Sequence, residues 1–313
     1  MATATITAKA SNPLLTAAGR HKIAVWLLIA SYALILGWTI AHGFSYYRLP
    51  LEERPYHPLN RELRPSGPVG ISLGLMGVAS FLAIFLYAIR KRWKPLGRIG
   101  KTKNWLDIHV VMGISAPILI TFHAGFKMRN LAGVSYWIMI AVMLSGIVGR
   151  YLYAQIPRRI NAAELSLKEM QSMTAEITEE LQKQSLVSAA ELQPLLAVPT
   201  KEKVEAMPVG VALLLMMVCD LKRPFLVARI RRRALTGAKM ITTLWGLRTS
   251  PEPGLEKVID LARRRSWIAT KISFLAKTHQ VFHLWHVVHR PFSYSFAILV
   301  VVHITVALLM GYF

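Results

Sequence analysis

Five stretches of this chain are apolar for about the length of a bilayer crossing, and no other feature restricts the fold as much. They cover roughly 22–42, 69–90, 104–126, 134–154 and 284–312. About 20 consecutive apolar residues span the hydrocarbon layer as a helix. The layer holds no water to bond backbone N–H and C=O groups, so a crossing segment must pair them within itself. The wider composition agrees, with 54% hydrophobic residues and a mean hydropathy of +0.40. The expected fold class is therefore all-α: an integral membrane helical bundle of about five transmembrane helices with a helical cytoplasmic insertion.

The formal charge of +22 would suggest nucleic acid in a soluble chain. Here Lys and Arg lie mostly between the apolar runs, as in loops retained on the inner side of a membrane. The chain has no aromatic-basic RNA motif and no zinc finger, so nucleic-acid binding is not expected. The strongest orientation signal is Arg90–Lys103, with Arg90, Lys91, Arg92, Lys94, Arg98, Lys101 and Lys103 and no acid. This places that loop, and the N-terminus with it, in the cytoplasm; the Pro-rich loop 43–68 is then outside. The expected division is a cytoplasmic tail (1–21), a four-helix membrane part (22–154), a basic, mostly helical cytoplasmic insertion (155–280) and a C-terminal membrane helix (281–313). A bacterial inner membrane is the expected location.

Within the insertion, Leu165–Leu192 carries apolar residues at helical intervals. Met207–Cys219 is apolar but too short to cross, which suits a buried or interfacial segment. The basic clusters Arg229–Arg233 and Arg263–Arg265 suit anionic lipid headgroups or an acidic partner protein. Gly67–Gly77 opens a membrane helix, where small residues assist packing. The single cysteine, Cys219, excludes an internal disulfide, a CxxC centre and covalent c-type haem attachment.

The chemistry is concentrated in the histidines. Of ten, two pairs are separated by fourteen residues, His109/His123 and His289/His303, and each pair falls in an expected membrane helix. Fourteen residues make about four turns and about 21 Å of rise, so both rings leave nearly the same helix face. Two such helices side by side can grip two stacked haems, each iron taking two imidazoles. Six-coordinate iron suits electron transfer rather than oxygen activation. Ionisable residues in lipid are costly and mark function. The expected cofactors are thus two b-type haems, with His109, His123, His289 and His303 as axial iron ligands.

Neighbouring residues fit the same expectation. Gly113 lies one turn beyond His109, where a missing side chain admits a macrocycle, and Gly125 lies near His123. Gly146 and Gly149 suit either a macrocycle or ordinary packing. Arg150 and Arg290 suit haem propionates or lipid phosphates. With five crossings, His109 faces His289 and His123 faces His303. A sixth crossing at Met207–Cys219 would instead pair His109 with His303. His279, His283, His286 and His289 share one helix face, making His286 a rival inner ligand; the others suit a metal, a proton path near a quinone, or a plain interfacial face. Pro291 is a candidate kink.

The segments WLDIHVVMG…HAGF and VVHRPFSYSFAILVVVH resemble the ligand helices of membrane di-haem cytochromes b, of the respiratory cytochrome b and ferric-reductase-like transmembrane types. The resemblance covers under a third of the chain. It implies haem ligation by the four histidines and electron transfer across the membrane. The chain lacks the flavin and nicotinamide domain of ferric reductases, and the helix count and PEWY-type quinol loop of respiratory cytochrome b. The expected role is the cytochrome b subunit of a respiratory or photosynthetic complex, an electron-transfer subunit rather than a stand-alone enzyme. Its expected partners are membrane lipid, quinone and a c-type cytochrome or iron–sulfur protein. Two other readings remain open: a proton or metal transporter using the histidines, for which Asp107 is the only acid in an expected span, and a membrane anchor or assembly subunit.

Overall fold

The computed structural model describes residues 16–155, 163–235, 243 and 246–311, and residues 1–15 of the expected N-terminal tail lie outside them. The described residues are helical, with no strand among them. In chain order the helices are α1 (Ala17–Tyr47), α2 (Asn60–Leu63), α3 (Pro68–Arg90), α4 (Lys94–Gly97), α5 (Thr102–His123) and α6 (Asn130–Gln155). These are followed by α7 (Ala163–Lys183), α8 (Ala189–Leu196), α9 (Lys201–Ala206), α10 (Val209–Ala234) and α11 (Pro253–Leu309), and a 3-10 turn covers Arg54–Tyr56.

Five of the described helices, α1, α3, α5, α6 and α11, are long and apolar enough to cross a membrane. Their apolar windows are only 6–28% buried. Trp26, Leu27, Leu34 and Trp38 on α1, for example, are exposed. Water disfavours apolar surface on this scale and lipid accepts it, so the helices are consistent with an integral membrane protein. Helix α11 differs from expectation in length. It runs unbroken for 57 residues, through Pro291, and starts at Pro253 rather than near 284. Hydropathy detects only its apolar C-terminal part, because the earlier turns carry Lys, Arg and His.

The chain forms two compact units. Unit one comprises residues up to Val148 together with Val288–Phe313. Glycine allows α3 to approach α5 closely: a Cβ on Gly77 would collide with Ile120 Cδ1, and one on Gly74 would lie 2.8 Å from His123 Nδ1. Polar contacts fix the other neighbours. Tyr32 and Ser80 hydroxyls meet at 2.6 Å between α1 and α3, and His21 Nε2 lies 3.3 Å from Asp107 Oδ2 between α1 and α5. The rings of Phe81 and Phe296 pack edge-on at 4.8 Å between α3 and α11.

Arg54 organises the loop after α1. Its guanidinium is buried and donates to the carbonyls of Leu49, Tyr47 and Gly125, beneath the rings of Tyr46 and Phe126. The Gly125 contact fastens the turn that ends α5, where Gly125 and Phe126 both have positive φ. That turn stops the helix at His123 rather than at 126.

Unit two comprises Gly149–Val287. Its core gathers Leu181, Val187, Leu192, Leu195, Val227, Ile230, Leu255 and Ile259. The buried Arg231 forms a two-point ion pair with Glu256, at 2.8 and 2.7 Å, and also donates to the Gly246 carbonyl. Asp220 accepts from Tyr151 and Gln155 at 2.7 and 2.9 Å and from Arg223 at 2.9 Å. Inward charges of this kind require partners to offset desolvation.

Candidate functional site

All four histidines of the two fourteen-residue pairs belong to unit one: His109 and His123 on α5, His289 and His303 on α11. The structure adds to the sequence a set of hydrogen bonds at Nδ1.

His123 is the clearest case. Its Nδ1 lies 2.8 Å from the Gly70 carbonyl on α3. A carbonyl only accepts, so Nδ1 carries the proton and the lone pair of the neutral ring is on Nε2. Gly74, one turn further along α3, makes room for the ring. His109 repeats the arrangement more weakly, with Nδ1 3.4 Å from the Ile84 carbonyl, beyond the usual N–H···O range. The Tyr87 ring lies 5.2 Å from it.

His289 reaches the same state through a side chain. Its Nδ1 is 2.7 Å from Ser145 Oγ on α6. The Ser145 hydroxyl donates its own proton to the Val142 carbonyl at 2.8 Å, which leaves its oxygen to accept from His289. Gly146 lies against this ring; a Cβ there would be 3.7 Å from His289 Cε1. His123 and His289 thus favour the tautomer with the proton on Nδ1, which puts the lone pair on Nε2, and His109 is turned the same way at a longer distance. In metal sites the second nitrogen of a ligating histidine is held in this way.

His303 is exposed and makes no hydrogen bond to a described residue. It lies close enough to His123 for their charges to interact. Both residues are C-terminal members of their pairs.

The rival, His286, belongs to unit two. Its Nδ1 is 3.0 Å from the Phe282 carbonyl, and its ring packs against Phe282 and Trp285 at 4.4 and 4.6 Å. Tautomer therefore does not separate it from His289, but surroundings do, since its ring stands among aromatic side chains. Gly149 also meets an aromatic: a Cβ there would collide with the Trp285 indole, a packing role. A Cβ on Gly113 would meet nothing within 4 Å. Arg290 is exposed, whereas Arg150 is half-buried and falls in unit two. Among the described residues no group of three or more His, Cys, Asp or Glu converges as for a bare metal ion. Burial, with the Asp220 charge beside it, raises the Cys219 thiol pKa and keeps it protonated.

Gly70, Gly74, Ile84 and Ser145 are the residues that sequence reasoning missed. The glycine spacing on α3 was visible, but only as packing. Ile84 and Ser145 gave no signal, because one acts through its backbone and the other is one of many serines. No family model, curated protein or solved structure matches the chain.

Proposed function

We propose that the chain is an integral membrane electron carrier holding two b-type haems, one between His109 and His289 and one between His123 and His303. The observation that carries this reading is the placement of Nδ1 against an acceptor at His123 (2.8 Å from the Gly70 carbonyl) and His289 (2.7 Å from Ser145 Oγ), with His109 turned the same way at 3.4 Å from the Ile84 carbonyl. A single oriented histidine is ordinary; two held at hydrogen-bond distance on different membrane-length helices, each with a second histidine fourteen residues away, are not.

The residues fit the group. The donors are neutral imidazoles, the usual axial ligands of an electron-transfer haem. The open side of Gly113 suits a macrocycle face, and the exposed Arg290 suits a propionate or a lipid phosphate. Parallel ligand helices would pair His109 with His289 and His123 with His303, and the electrostatic influence of His303 on His123 agrees with that pairing. When bound, the two haems supply one-electron redox centres spaced across the bilayer. Gly70 and Ser145 hold the His123 and His289 rings, with the Ile84 carbonyl near His109, and the apolar helices would limit access of water to haems bound there. Exchange with quinone on one side and a c-type or iron–sulfur protein on the other completes the proposed role, within a respiratory or photosynthetic complex of a bacterial inner membrane.

Haem stoichiometry with a redox titration tests the proposal. The expected result is two b-haems per chain, two reduction steps and a reduced α-band near about 560 nm. Replacing His123 or His303 by Ala should each remove the same haem and leave the other. A purified chain without extractable haem, carrying protons or metal ions in liposomes, would support the transporter reading instead.

A further inference from the structure

The side of α10 that faces away from the unit-two core changes character along its length. Val211, Leu214, Met217, Leu221 and Phe225 are 52%, 63%, 43%, 68% and 62% exposed. Ala212, Met216, Val227 and Ile230 on the opposite side are buried. At about 100° per residue, Leu214, Leu221, Phe225 and Arg232 fall within about 40° of one another, with Arg229 and Lys222 at the edge of the same face. The face is thus apolar for its first four turns and basic for its last two.

The charges in the middle of the helix do not interrupt it. Asp220 and Arg223 turn inward, paired at 2.9 Å, and Arg223 also donates to Thr270 at 3.1 Å. Arg229, Arg232 and Lys222 are exposed and make no ion pair with a described residue. Every charge that α10 itself presents on the exposed face therefore has one sign, although Arg229 also borders a hollow shared with Glu191 of α8. Helix α10 is not among the helices apolar enough to cross.

We infer that this face of α10 is a membrane-surface element: its apolar stripe enters the boundary between headgroups and acyl chains, and Arg229, Arg232 and Lys222 bind the phosphates of anionic lipid. An apolar stripe that runs into a basic end suits a helix entering the membrane surface obliquely, with its apolar turns deeper than its basic ones, where apolar burial and attraction to anionic lipid act together. Water alone would leave five large apolar side chains uncovered. A second copy packed in parallel would bring like-charged arginines together, and one packed antiparallel would lay Arg229 and Arg232 against the apolar stripe; both oppose pairing. Anionic lipid satisfies both halves of the face. The inference does not depend on the histidines, so haem-free protein serves equally well.

The full chain tests it in nanodiscs of phosphatidylcholine with or without phosphatidylglycerol. In a Cys219→Ser background, Leu214→Cys, Leu221→Cys, Phe225→Cys and Arg232→Cys each carry one nitroxide. Collision with oxygen and with a water-soluble nickel chelate reports depth. Labels at 214, 221 and 225 should be open to oxygen and shielded from nickel, and the label at 232 should show the reverse. Arg229→Gln combined with Arg232→Gln should reduce the retained preference for spin-labelled phosphatidylglycerol over phosphatidylcholine by about fivefold per arginine. Nickel access at 214, 221 and 225 would overturn the inference, as would shielding from both reagents, which denotes a protein partner or a second copy. An unchanged lipid preference in the double variant would overturn the headgroup role.

Discussion

Replacing Gly74 by Ala places one methyl group against the ring on which the proposed outer site depends. The new Cβ would lie 2.8 Å from His123 Nδ1, 2.9 Å from Cε1 and 3.3 Å from Cγ. Carbon atoms settle at about 3.5–4.0 Å, so the ring must move by roughly 0.7–1 Å. All three distances are short, so the whole imidazole must shift rather than its tip. Its 2.8 Å hydrogen bond to the Gly70 carbonyl then stretches or breaks. Overpacking costs about 1–3 kcal/mol and the lost bond about 0.5–1.5 kcal/mol. If His123 is an axial ligand, loss of its orienting partner should weaken metal binding by about 10–100-fold. The assay is haem per chain after purification, with the ferric low-spin EPR spectrum of what remains. Gly37→Ala is the control, because its Cβ would meet nothing within 4 Å. Expected is selective loss or spectral shift of one haem in Gly74→Ala, and none in Gly37→Ala. Both haems retained with unchanged spectra in Gly74→Ala would refute the claim that α3 positions His123 for ligation.

Gly113→Leu should leave haem-free protein as stable as the parent, because the site is open, yet prevent haem loading; normal loading would remove Gly113 from the site. Ser145→Ala deprives His289 Nδ1 of its acceptor and should shift the EPR spectrum and potential of one haem, while His286→Ala should leave both unchanged; the opposite pattern would make His286 the ligand. Arg54→Ala strands three carbonyls that a buried guanidinium now serves and should cost about 3 kcal/mol or more, read as a lower melting temperature and faster proteolysis of the loop before α3; Arg54→Lys should not rescue it.

Hydropathy located all five membrane-length helices, because crossing lipid demands a run that one sequence window contains. It missed what depends on contact. The N-terminal half of α11 is polar and basic, so its continuity with the last apolar run was not visible. Pro291 marks a candidate kink in the sequence, yet α11 continues through it. The early end of α5 follows from positive φ at Gly125 and Phe126 and from Arg54, a residue 71 positions away from Gly125. The candidate site divides along the same line. Fourteen-residue spacing is a local property and was legible. The groups that orient the rings are 53, 25 and 144 residues distant from them in sequence.

Those orienting groups also bear on the choice between an electron carrier and a proton carrier. A histidine that relays protons takes one at one nitrogen and releases one from the other, so both nitrogens need partners that can exchange protons. At His123 the partner of Nδ1 is a backbone carbonyl, an acceptor with no proton to pass on, and the acceptor nearest His109 Nδ1, at 3.4 Å, is also a carbonyl. At His289 it is a serine whose own proton is committed to Val142. Each ring would have to break its bond and turn over for every proton moved. A haem ligand needs the opposite: one fixed tautomer, one fixed ring plane and a constant lone pair on Nε2. The arrangement therefore supports electron transfer over proton conduction. The distinction is measurable, because a fixed-tautomer ligand predicts haem potentials that change little across the range where free imidazole titrates.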